Sequence, residues 1–118
     1  MPIHVFLDDR RPCPPGFVLA RTAAECILLL QECEVGVLSL DYDLGYGTQT
    51  GMDVVQAMIV SGKYPREIYI HSSSWVGRAL MAQTLKDAAP PDVFVSDGPM
   101  PDEVLKKVAA SSGNGEGN

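Results

Sequence analysis

The sequence is poor in several things that would assign it quickly. Its three cysteines, Cys13, Cys26 and Cys33, form no Cys-x-x-Cys pair. That excludes a disulfide framework and a zinc knuckle. Cys26 and Cys33 fall in one helical pattern and are expected to share a buried face as small hydrophobes. No apolar run approaches the roughly 18 residues needed to span a bilayer. The opening MPIHVFLDDRR has no basic flank and no small-residue cleavage site, so no signal peptide and a cytoplasmic location are expected. Basic residues are also scarce: nine Lys and Arg against fifteen Asp and Glu, a net charge of -6. A protein that grips long nucleic acid, or an anionic membrane surface, needs a basic stripe that this chain lacks. A local pocket for a nucleotide or for the phosphate end of a nucleic acid is not excluded.

What is present is a globular chain of 118 residues, 46% hydrophobic, enough for one core. There is no internal repeat. Residues 1–110 are expected to form one α/β domain, with 111–118 (SSGNGEGN) a flexible tail. Short apolar runs, IHVFL, FVLA, VGVLSLD, EIYIHS and DVFVS, read as five strands. Between them TAAECILLLQEC, TGMDVVQAMIVSG and SSWVGRALMAQTLKDAA read as helices, and PDEVLKKVAA closes the chain as a fourth. Thr22 with Glu25 and Thr50 with Asp53 carry the capping-box spacing. Gly62 stops the second helix, and Pro101 opens the last one. The first connection, RRPCPPG, cannot be a helix. It is expected to wrap over one face, with a hairpin as the competing topology. Strands alternating with helices predict a parallel sheet covered on both faces.

The polar residues gather where strands stop. Asp8, Asp9 and Arg10 follow the first strand, Asp41 and Asp43 the third, His71 and Ser72 the fourth, and Ser96 and Asp97 the fifth. In an open parallel sheet those ends share one rim, and ligands bind where strand order reverses. In the order 2-1-3-4-5 the reversal lies between the two strands that end in acid pairs. Either pair alone reads as turn chemistry. Together they would repel one another unless a cation lay between them. All-oxygen ligands suit Mg²⁺ first, then Mn²⁺ or Ca²⁺. His71 precedes a helix N-terminus, which favours an anion. Arg78 sits near that first turn, against the helix dipole. Trp75 is expected in packing or as a pocket wall, Met52, Met58 and Met81 in the core, and LGYGTQTG as a flap or a connector.

These residues resemble a response-regulator receiver domain, in which an acid pair ends the first strand and a phosphoacceptor Asp the third. The lysine that such domains carry after the fifth strand is replaced by Ser96-Asp97-Gly98, and the first helix is missing. LDDRRP, SLDYDLG, the later TG, and HSSSWVGRALM are more closely similar to cyclic-phosphate processing receiver domains. Tyr42 departs from the usual His of that family, and Ser74-Trp75 from its usual Asn-Pro. The resemblance implies a receiver-like (flavodoxin-like) five-stranded fold whose first crossover helix is replaced by a Pro-rich loop. It also implies a metal-dependent phosphoesterase or phosphotransferase acting on a cyclic phosphate of a nucleotide or RNA end. Asp8, Asp9, Asp41 and Asp43 would hold Mg²⁺ or Mn²⁺, with Asp41 the alternative nucleophile. His71 would be general acid or base, and Ser72, Arg78 and Arg10 would bind phosphate. The other reading is an atypical receiver or pseudo-receiver that binds a protein partner without catalysis.

Overall fold

The computed structural model describes residues 1–45, 47 and 49–116, the side chains of 112–116 excepted. Five strands, β1 (Ile3–Leu7), β2 (Val18–Ala20), β3 (Val35–Leu40), β4 (Glu67–Ile70) and β5 (Phe94–Val95), alternate with α1 (Ala23–Glu32), α2 (Gly51–Ser61), α3 (Trp75–Ala88) and α4 (Asp102–Glu116). The sheet is parallel throughout, in the order β2-β1-β3-β4-β5. The hairpin alternative is thereby removed: β1 and β2 run the same way, with Val5 opposite Val18.

Period-two alternation sorts the sheet into two faces. Val5, Leu7, Leu38, Leu40, Ile68 and Ile70 turn to one core, where α1 adds Cys26 and Leu30, α2 adds Val54, Val55 and Met58, and α3 adds Met81 and Leu85. Val37 and Tyr69 turn to a smaller core under Val104 and Val108 of α4. Each fully buried side chain of this kind contributes roughly 1.5–3 kcal/mol, so the first face carries most of the apolar stabilisation. All six residues of β3 are buried, as expected of a central strand.

The Pro-rich segment takes the place of a helix on the second face. Phe17 meets Phe6 and His4 edge-on, with ring centroids 6.4 and 6.0 Å apart. Gly16, at φ +87°, lies so close to α4 that a Cβ would stand 2.8 Å from Val108 O. Arg21 Nη1 donates to the carbonyls of Asp8 and Arg11, both at 3.1 Å, and pins the start of the segment.

Local sequence sets the helix ends. Thr22 Oγ1 accepts from Glu25 N–H, but the Glu25 carboxylate reaches one residue past the cap, to Arg21 N–H at 2.7 Å. The reciprocal capping box forms on α2, where Asp53 accepts from Thr50 N–H at 2.7 Å. Ser74 caps α3, and helical backbone in α4 continues to Glu116, beyond the expected end at Ala110.

Two packing expectations are corrected. Cys33 is exposed, because α1 stops at Glu32 and the helical spacing from Cys26 no longer applies to an extended cap residue. Trp75 is 70% exposed, because it lies off the buried stripe of Gly77, Met81 and Leu85. Met58 and Met81 are core residues, and Met52 packs against them half-buried. The segment expected as a flap includes Tyr46 and Thr48, which lie outside the described residues, as do positions 117 and 118 of the tail.

Candidate metal centre at the carboxyl ends of the strands

Asp8 is the residue after β1, and its carboxylate turns inward and is buried. Its Oδ1 accepts the backbone N–H groups of Arg10 at 2.8 Å and Arg11 at 2.9 Å. Its Oδ2 lies 2.9 Å from His71 Nε2 and 3.6 Å from Arg11 Nη1. Burial alone would raise the Asp8 pKa, but the N–H groups of Arg11 and Arg10 and the contact with His71 outweigh it. The carboxyl is held below its ordinary value.

Asp41, the residue after β3, is shifted the other way. Burial and then the charge of Asp8 raise its pKa, opposed by the Ser72 hydroxyl and by Arg11. Its N–H donates to Leu7 O at 3.1 Å, which continues the β1–β3 ladder to the rim and holds the two acids together.

His71 follows β4 and stacks flat on Phe6, with centroids 4.5 Å apart and planes at 5°. Both ring nitrogens are taken: Nδ1 is 2.6 Å from Ser39 Oγ, and Nε2 faces Asp8. Its side chain is only 9% exposed. Burial lowers its pKa below the ordinary value, against the pull of Asp8. The trio of hydroxyl, imidazole and carboxylate is not a serine-nucleophile triad. Ser39 is fully buried, and it sits on Nδ1, where such a triad places its acid.

Ligand atoms of Asp8, Asp41 and His71 lie within 4.8 Å of one another. The two carboxylates fit a divalent cation, and the imidazole stands within reach of the same ion with both nitrogens engaged. Asp41 supports the fit, because its carboxylate is strained by burial beside a like charge, a condition that a cation relieves. Asp9 and Asp43 are outside that cluster among the described residues. Asp43 is exposed and closes a turn by accepting Gly45 N–H at 3.1 Å. The Asp9 carboxylate lies against Gly45, where a Cβ would stand 2.7 Å from its Oδ2. Both acids, with Asp8, Asp41, Arg10 and Arg11, border an open cleft of about 540 Å³.

The expected phosphate ligands are spread out. Arg10 is exposed on the cleft wall. Ser72 is buried, accepts Ser74 N–H at 3.1 Å and borders Asp41 rather than the cleft. Arg78 Nη1 donates to Ser72 O at 3.4 Å and does not line the cleft. Arg11, which the sequence offers with Arg10 only as a charge neutralising the acid pair, faces Asp8 and also donates from Nη1 to His71 O at 2.7 Å. Sequence reasoning missed Ser39, a lone hydroxyl in an apolar strand.

Two motif glycines prove to be steric. Gly51 opens α2 so near the chain leaving β3 that a Cβ would lie 2.2 Å from Asp41 O, while its N–H donates to Tyr42 O at 2.9 Å. Gly77 seats the Tyr42 ring, 2.4 Å from where a Cβ would be.

A parallel 2-1-3-4-5 sheet with buried acids ending β1 and β3 defines a receiver-like domain. The solved receiver domain of the Francisella response regulator 1452 has the same fold: TM-score 0.58 at 16% identity, over 97% of this chain and 98% of that one. Within that class, residues 3–87 match the cyclic-phosphate processing receiver domain, and the chain belongs to that family. No curated protein matches it significantly. Among the described residues no helix is long and apolar enough to cross a membrane.

Proposed function

We propose that the domain is a divalent-metal-dependent phosphoesterase or phosphotransferase for a small phosphorylated ligand, a cyclic phosphate on a nucleotide or nucleic-acid end being the first choice. The observation that carries this reading is the convergence of Asp8, Asp41 and His71 within 4.8 Å at the rim, in a chain of this family. Asp8 and Asp41 would hold Mg²⁺ or Mn²⁺, with Asp9 and Asp43 on the cleft wall toward the incoming ligand. A bound ion would neutralise charge on the non-bridging phosphate oxygens, the main electrostatic need of phosphoryl transfer. Arg11 is the cation best placed to add to that, from its bond to His71 O at 2.7 Å. Its charge would take over from the receiver lysine, which Ser96-Asp97-Gly98 replaces. Arg10 on the cleft wall is the second.

His71 is assigned a role through Asp8. Its Nε2 is engaged by the carboxylate and its ring is nearly covered, so it steers the charge and orientation of Asp8. Magnitude separates this from direct proton transfer. A general acid or base contributes about 10²–10⁴-fold, whereas a residue orienting a metal ligand contributes about 10–100-fold. The test is hydrolysis of nucleoside 2′,3′-cyclic phosphates and of a generic phosphodiester with Mg²⁺ or Mn²⁺, across about pH 5 to 9. Wild-type turnover that requires metal and Asp41, and falls about 10–100-fold in His71→Ala, is expected. No turnover with any substrate removes the enzymatic reading.

One observation favours a second reading, a partner-binding module without catalysis: α3 exposes Trp75, Val76 and Leu80 at 70%, 62% and 49%. Metal that stabilises the protein with no turnover on any phosphate ester would favour it.

A further inference from the structure

Ser39 is a hydroxyl in the middle of the sheet, 0% exposed, on a strand that is otherwise apolar apart from Gly36. A buried hydroxyl is costly unless it is bonded. Its bond is to His71 Nδ1, at 2.6 Å. The pleat makes the contact: Ser39 stands opposite Phe6 on β1 and Tyr69 on β4, and His71 lies two residues beyond Tyr69 on the same face.

The direction of each bond follows from what its partners can do. Asp8 Oδ1 faces two backbone N–H groups, and Oδ2 faces Arg11 Nη1, all donors only. The two N–H bonds and the guanidinium beside Oδ2 favour the ionised carboxyl, which places the hydrogen shared with His71 on Nε2. The neutral ring then has a bare Nδ1, which needs a donor, and the Ser39 O–H is that donor. With Phe6 stacked on the ring face at 4.5 Å, the imidazole is held at both nitrogens and on its plane.

We propose that Ser39 is a positioning residue of the rim: by donating to Nδ1 it stops the His71 ring from turning, keeps its Nε2–H on Asp8, and so presents Asp8 as an oriented anion and keeps His71 out of the metal's ligand set. The last two consequences rest on the metal reading above, while the holding of the ring does not. Without the hydroxyl, Nδ1 faces an apolar wall. The ring then gains by rotating, and either nitrogen is free to approach a cation near Asp41.

The experiment compares wild type, Ser39→Ala and Ser39→Thr, with folding checked by urea denaturation. In the metal-free protein, ¹⁵N and proton NMR of His71, assigned against His4 as the other histidine, should show a protonated Nε2 whose hydrogen exchanges slowly. Ser39→Ala should lose that protection, and Ser39→Thr, which keeps the hydroxyl, should retain it. With Mn²⁺, electron spin-echo spectra should show no imidazole nitrogen coupling in wild type and should show it in Ser39→Ala. A protected Nε2–H that persists unchanged in Ser39→Ala, or a wild-type ring protonated on Nδ1 alone, overturns the proposal. If wild type binds no Mn²⁺ while the hydrogen is protected and Ser39→Ala loses it, the positioning role stands and the metal reading falls.

Discussion

On one face of the sheet Leu7, Leu38, Leu40, Ile68 and Ile70 are packed under three helices. On the other, the residues that alternate with them include Phe6, Ser39 and Tyr69, under one helix and a Pro-rich strap. Three helices supply enough apolar surface to make the first face a dry, close-packed core. The second face has room for a polar chain, and Ser39, His71 and Asp8 form it. One face supplies stability and the other supplies chemistry, both hung on the same strands. The loss of the first crossover helix is thus part of the site's construction: it brings Phe17 and the strap against Phe6, whose ring supports His71.

The comparison is most easily broken in the core. Leu38→Ala should cost about 2–5 kcal/mol, the range for deleting a fully buried leucine. Val104→Ala on the second face should cost roughly 1–2 kcal/mol at about 0.8 kcal/mol per buried methylene. Urea denaturation measures both. Equal costs would show that the second face is packed as firmly as the first.

A smaller effect tests the link between faces and rim. Gly51→Ala puts a methyl 2.2 Å from Asp41 O. The loop that carries Asp41 must move, at a cost of about 1–3 kcal/mol. The melting-temperature rise with Mn²⁺ should shrink with it. A full metal response in Gly51→Ala would mean that Asp41 needs no fixed backbone.

Much of this arrangement was legible in the residues. The parallel sheet, the absence of a helix over RRPCPPG and the gathering of acids on one rim follow from periodicity, from proline and from where apolar runs stop. The strand order is what the receiver resemblance implies, and the sequence left a hairpin open at RRPCPPG. What sequence could not supply was the direction of side chains beyond the strand ends. Asp8 and Asp9 are neighbours in LDD, yet one turns in to His71 and the other out to Gly45. Asp41 and Asp43 part in the same way, into the cluster and into a turn. Alternation that is reliable within a strand ends with its ladder, and the loop geometry that follows depends on steric contacts such as Gly51 on Asp41 O. That Arg11 reaches His71 O while Arg10 stays on the cleft wall is a choice of the same kind.

Asp8 and Asp41 sharpen the comparison by sign. The Asp8 pKa is lowered from 3.8 in the fold, so its contribution to stability is present above that value and is lost as pH falls through the lower folded value. The Asp41 pKa is raised from 3.8, so its contribution is present below that value and is lost as pH rises through the higher folded value. Without metal at neutral pH, Asp41→Asn should therefore raise the melting temperature and Asp8→Asn should lower it. Mn²⁺ should reverse the order for Asp41, raising wild type and leaving Asp41→Asn unchanged. Destabilisation by Asp41→Asn without metal would show that Asp41 is already satisfied by its protein partners.

The smallest expected effect concerns charge on the second face. Lys107 of α4 lies 3.3 Å from Glu67 Oε2 on β4, with side chains 61% and 27% exposed, and Tyr69 O–H donates to the other oxygen at 2.8 Å. An ion pair of that exposure is worth about 0.2–1 kcal/mol and is screened by salt. Arg66 and Glu34 make a shorter contact, 2.9 Å, with side chains 70% and 57% exposed. Ion pairs of this kind therefore cannot account for the difference between the two faces, and α4 must be held by Val104 and Val108. Lys107→Ala should lower stability by less than about 1 kcal/mol, and the loss should fade as salt is raised. A larger loss that persists in high salt would mean that the thin face is held by its charges, and the contrast between a packed face and a polar one would have to be redrawn around Glu67.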